Sequence, residues 1–94
     1  MGISRGGSIT VTTTAQMVTL PLKAKRLTII NDDATSLFVR KNPEEDDYES
    51  VSVDDDIEVK SGEGFNFGLE MFPIKSFAVI TATGSTTARW AIEL

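Results

Sequence analysis

The chain has 94 residues, enough for one domain, and it contains neither Cys nor His. That composition excludes disulfide staples, Ser-His-Asp and Cys-His nucleophilic sites, and the usual zinc, haem and iron–sulfur ligand sets. The net charge of −5 is unevenly spread, with +4 over residues 1–41, −10 over 42–70 and +1 over 71–94, so phosphates would meet repulsion from the middle of the chain and direct nucleic-acid binding is not expected.

Residues 1–7, Met-Gly-Ile-Ser-Arg-Gly-Gly, offer little to bury and read as a flexible N-terminal arm ahead of a single domain over 8–94. No apolar run approaches the ~20 residues needed to span a bilayer, and the start lacks the apolar stretch of a secretory signal. Thr, Ser, Val and Ile dominate the periodic segments, and turn residues interrupt the chain every 8–12 positions or so, the pattern of an antiparallel β-sandwich of about eight short strands, with a jelly roll as one candidate winding.

In chain order, the alternation of Ile9, Val11 and Thr13 with Thr10 and Thr12 predicts a strand over Ser8–Thr13. Met17–Leu20 reads as a second strand, ended by Pro21, which cannot donate to a ladder. Arg26–Asn31 is an apolar run suited to a central strand. Asn31-Asp32-Asp33-Ala34 supplies turn chemistry, and Ser36–Lys41 is expected to return as its hairpin partner, with Leu37 and Val39 facing one way, Phe38 and Arg40 the other.

Asn42–Ser50 carries Glu44, Glu45, Asp46 and Asp47 and reads as a long solvated loop, followed by a short edge strand at Val51–Val53 and a second acidic turn at Asp54-Asp55-Asp56. A strand over Ile57–Lys60 would point Ile57 and Val59 inward. Ser61-Gly62-Glu63-Gly64 turns the chain, and Phe65, Phe67 and Leu69 alternate with polar residues in the clearest half-buried strand. Ile74–Ala82 and Thr86–Leu94 are expected to pair around Thr83-Gly84-Ser85. The expected core is Leu27, Ile29, Leu37, Val39, Ile57, Phe65, Phe67, Val79, Trp90 and Ile92.

Chemistry-bearing patterns are few. Gly62-Glu63-Gly64 lacks the third Gly and the following helix of a phosphate loop, so it reads as a strand-connecting turn. Asp54-x-Asp56-x-Glu58 begins like a calcium loop, but Val59 stands where the loop needs Gly and Phe65 where it needs the closing Glu. The exposed acidic segment therefore reads as solubilising and as protection against edge pairing. A glycosidase carboxylate pair needs a walled cleft, which a chain this short has little room to build. No catalytic, cofactor-binding or metal-ligating residue is singled out. Tyr48 lies in the acidic loop and marks a candidate contact surface. Ile3 and Arg5 of the arm are candidate anchors on a neighbouring subunit, Ile3 as an apolar peg and Arg5 against an acidic patch.

The order of segments has a further implication. A Gly-rich start is followed by Ser8–Thr14, Met17–Pro21, Arg-Leu-Thr-Ile-Ile-Asn-Asp (26–32) and Ser-Leu-Phe-Val-Arg (36–40). Gly-Glu-Gly-Phe (62–65) and a closing Thr-Thr-Ala-Arg-Trp-Ala-Ile-Glu-Leu (86–94) come later. This resembles small tailed-phage virion proteins with a β-sandwich fold, in which the Ile-Ile-Asn and Leu-Phe-Val-Arg segments form a central hairpin. The resemblance implies a non-enzymatic virion structural protein, assembled in the host cytoplasm, homo-oligomeric and partnered with other virion proteins such as a major capsid protein. Decoration or stabilisation of a capsid in many copies is the first expectation. A tail, connector or fibre-base component is the second, a carbohydrate-binding module the third. The acidic stretch Asn42–Asp56 departs from that pattern, and no binding residue carries over.

Overall fold

A computed structural model describes residues 6–33, 35–43, 51, 56–68 and 73–93. The described chain is all β: β1 (Gly6–Val11), β2 (Gln16–Ala24), β3 (Arg26–Asn31), β4 (Leu37–Lys41), β5 (Ile57–Val59), β6 (Gly64–Phe67), β7 (Ile74–Thr81) and β8 (Thr86–Glu93). They form two antiparallel four-stranded sheets, β1-β8-β3-β6 and β2-β7-β4-β5, packed face to face as a β-sandwich.

The pairing identifies the winding. β1 pairs with β8, β2 with β7, β3 with β6 and β4 with β5, the rungs of one long antiparallel ribbon. Wrapping that ribbon adds the β3·β8 and β4·β7 ladders. The result is a jelly roll.

Two expected hairpins are absent for this reason. β3 and β4 lie in opposite sheets, as do β7 and β8. Facing sheets are ~10 Å apart, and the short connections after Asn31 and Thr81 carry the chain from one layer to the other instead of turning it back on its neighbour.

The core is the set of inward positions set by pleat alternation. Leu27, Ile29, Phe67 and Ile92 from one sheet meet Leu37, Val39, Phe77 and Val79 from the other, with Phe65 and Trp90 packed partly buried against them. Ile57 departs from expectation. It lies at the start of edge strand β5 and is 37% exposed, because a three-residue edge strand has a sheet neighbour on one side only.

Three further differences have local causes. β2 runs through Pro21 to Ala24, with a register shift between Thr19 and Ala24. An edge strand tolerates a missing N–H at a bulge, which a central strand does not. β1 begins at Gly6, so the last two residues of the expected arm belong to the sheet, facing Ala91 and Trp90. A Cβ on Gly6 would stand 2.7 Å from the Trp90 carbonyl, and one on Gly7 would stand 3.1 Å from the indole ring. The pair is therefore required by close approach, not by a hinge. The acidic connection is not wholly solvated, since Val51 is 3% exposed and Asp56 is held by Arg40 at 2.8 Å.

The winding also sorts the loops. Residues 12–15, 32–36, 60–63 and 82–85 gather at one end, where Thr81 N–H donates to Thr12 and Gly62 N–H to Asn31. The connections at residue 25, 42–56 and 68–73 join strands at the other end.

Candidate functional site

At the first end the polar groups satisfy one another. Asn31, fully buried as the last residue of β3, donates from its side-chain amide to the Thr35 carbonyl at 2.7 Å and the Val59 carbonyl at 2.9 Å. Its Oδ1 accepts from Thr86 Oγ1 at 2.6 Å and from the Asp33 amide at 3.3 Å. Its own N–H donates to the Glu63 carbonyl and its carbonyl accepts from Gly62, both at 2.9 Å. With donors and acceptors so engaged, Asn31 ties both sheets and two connections and has no donor left over for a ligand. Gly62 sits at φ +77° in a turn closed by Glu63 N–H to the Lys60 carbonyl, the conformation that favours Gly at the third turn position. The Gly-Glu-Gly segment is thus a strand connection.

The arginines are likewise engaged. Arg40 grips Asp56 through Nε at 2.8 Å and Nη2 at 2.9 Å, so both carboxylate oxygens of that acid are taken by a cation. Arg89 holds Asp32 in the same two-point manner, and the hydrogen bond and charge of Asp32 raise its pKa above the ordinary guanidinium value. Arg26 meets Glu93 at 3.2 Å on the outer face of the first sheet. A shallow hollow of about 320 Å³ there is lined by Arg26, Thr28, Asn66 and Glu93, where Arg26 pairs with Glu93 and Thr28 Oγ1 donates to Asn66 Oδ1.

The second end differs. An open cleft of about 550 Å³ is lined by Lys23, Asn42, Pro43, Pro73, Lys75 and Ser76. Three separate pieces of chain converge to make it. The register shift after Thr19 puts extra residues of β2 opposite a shorter stretch of β7, and Lys23 lies within the bulged stretch, a device that re-aims side chains. Asn42 follows β4 at φ +48°, a left-handed conformation that Asn tolerates better than most residues. From that position its N–H donates to the Ser76 carbonyl at 2.8 Å, Nδ2 donates to the Pro73 carbonyl at 3.1 Å, and Oδ1 accepts from the Lys75 N–H at 2.7 Å. Asn42 thus clamps β7's entry to the end of β4, and Pro43 and Pro73 stiffen both walls.

Three side chains without a partner among the described residues line the cleft. Lys23 and Lys75 are exposed and pair with no carboxylate among the described residues. Ser76 is 9% exposed, its hydroxyl has no hydrogen-bond partner among the described residues, and it lines the cleft. Two ammonium groups and a hydroxyl with no partner among the described residues thus line one concave surface, and all three can donate to a ligand.

The residues singled out from sequence, Ile3, Arg5 and Tyr48, lie outside the described residues. The cleft was not anticipated. One signal for it is present in the chain: each of the three prolines stands two residues from a lysine, in Pro21-x-Lys23, Lys41-x-Pro43 and Pro73-x-Lys75. Compared with protein-family models, with curated proteins and with solved structures, the chain matches none.

Proposed function

We propose that this chain is a non-enzymatic structural subunit of a phage virion, bound in many copies to the capsid and in contact with a major capsid protein. The observation that supports it is the winding: eight short strands rolled into two four-stranded sheets, an architecture that recurs in viral capsid domains. The support is analogy of fold, joined to the order of strand segments that resembles small tailed-phage proteins, although the central hairpin of that pattern is replaced here by a crossing between sheets. The space between the sheets is filled by side chains such as Phe77, Leu27 and Leu37, so recognition falls to loops, outer faces and edges, the surfaces that join subunits.

Quantitative mass spectrometry of purified particles tests this reading. A copy number comparable with that of the major capsid protein supports capsid decoration. A copy number of a few to a dozen or so places the subunit in a tail, connector or fibre base. Absence from particles, together with specific binding on a glycan array, overturns the virion role in favour of a carbohydrate-binding module, another use of the jelly roll.

A further inference from the structure

We propose that the cleft between the β2 bulge and the start of β7 is an oxyanion-binding site, with Lys23, Lys75 and Ser76 as the donors that receive a carboxylate or phosphate group.

Three observations converge. The first is charge: the described arginines each hold a carboxylate of this chain, while the two lysines of the cleft pair with no carboxylate among the described residues. A lysine ammonium presents three N–H donors and acts on an oxyanion as a compact charge, and two on one concave surface concentrate positive potential there. The second is Ser76. The residue is 9% exposed and lines the cleft, and because no buried side-chain oxygen or nitrogen among the described residues lacks a partner, its unpartnered hydroxyl is one that solvent reaches. It can add a hydrogen bond at the floor while the ammonium groups close from the rim. The third is pre-organisation. Asn42 commits its N–H, Nδ2 and Oδ1 to the Ser76, Pro73 and Lys75 backbones, so the wall is held without the ligand and little ordering remains for binding to impose.

The volume of about 550 Å³ falls within the range of sites for small organic ligands and exceeds what a single inorganic ion fills. The oxyanion is therefore carried on a larger body or bound with its water. A free phosphate and an acidic side chain share this chemistry, and the test separates them.

Amide-detected NMR titration of the whole chain with inorganic phosphate, and separately with a hexaglutamate peptide, reads the site directly. Saturable shifts centred on Lys23, Asn42, Lys75 and Ser76 are expected, weakening as added salt screens the charges. Saturation by phosphate assigns the site to free oxyanions; saturation by the peptide alone assigns it to acidic segments of a protein. The Lys23→Gln/Lys75→Gln double variant, altered only at exposed positions, should weaken binding about tenfold or more, the loss expected for charge-assisted bonds. Ser76→Ala should weaken it less, by about threefold to tenfold. Absence of shifts with both probes, or equal binding by the double variant, overturns the proposal.

Discussion

The two ends of the sandwich are each organised by an asparagine at or just beyond the end of a strand, and they are organised to different purposes. Asn31 is fully buried, and its amide links β3, β5 and β8 through bonds among groups of the chain itself. Asn42 is exposed, bonds to the backbone of residues 73–76, and frames a cleft whose lysines pair with no carboxylate among the described residues. A closed polar network stabilises and specifies a fold. A satisfied frame around unsatisfied donors presents a surface. The same residue type serves both because its amide mimics a peptide group wherever a ladder ends.

Substitutions turn this contrast into measurements. The largest effect is expected at the closed end. Asn31→Ala strands the Thr86 hydroxyl and the Thr35 and Val59 carbonyls in a buried site, and should cost about 3 kcal/mol or more. In a domain of this size each kcal/mol lowers the thermal midpoint by roughly 4–8 °C, so a drop beyond about 10 °C is expected. A drop of only a degree or two would show that the network is dispensable.

Next comes the Arg40–Asp56 clamp, which anchors the acidic connection to the outer face of the second sheet. Arg40 stands opposite Ala78, which is buried yet lies outside the main core, as does Val51. Arg40→Ala removes the two-point ion pair at the Asp56 carboxylate, 10% exposed, and should cost about 1.5–3 kcal/mol. Limited proteolysis of that variant should cut within residues 44–55 sooner than in the parent. An unchanged cutting pattern would mean that the ion pair does not tether the connection.

At the open end, Asn42→Ala should cost about 1 kcal/mol through lost hydrogen bonds, plus strain at φ +48°. Asn42→Gly removes the same bonds without that strain and should cost less. Equal costs would assign the whole effect to hydrogen bonding. The smallest change is expected for Lys23→Gln/Lys75→Gln, within about 0.5 kcal/mol of the parent. The comparison sharpens if that variant keeps its midpoint while Asn31→Ala loses its own; a marked loss would mean that the lysines stabilise the fold.

The strands were largely legible in the chain because each rests on a local signal. Leu37 and Val39 alternate with Phe38 and Arg40, Phe65 and Phe67 with Asn66, and the structure keeps those faces. Ile57 shows the limit: alternation names the face that a residue shares, but the end of a short edge strand lacks the neighbours that would bury it. Pro21 shows another. A proline excludes a ladder donor wherever it stands, yet whether it ends a strand or sits in a bulge depends on whether that strand lies at a sheet edge.

The sequence by itself determined the class of fold, the positions of most strands and the inward rows of the core, because a period of two and the turn residues act over a few positions. Only the tertiary structure decided which strands are neighbours. A connection as short as that after Asn31 turns a hairpin or crosses between layers equally well, and burial of both sheets' apolar faces selects the crossing. The cleft belongs to the same category. Lys23, Asn42 and Ser76 are far apart in the chain and meet only because wrapping the ribbon brings the bulge of β2, the end of β4 and the start of β7 to one corner, a proximity that no local pattern encodes.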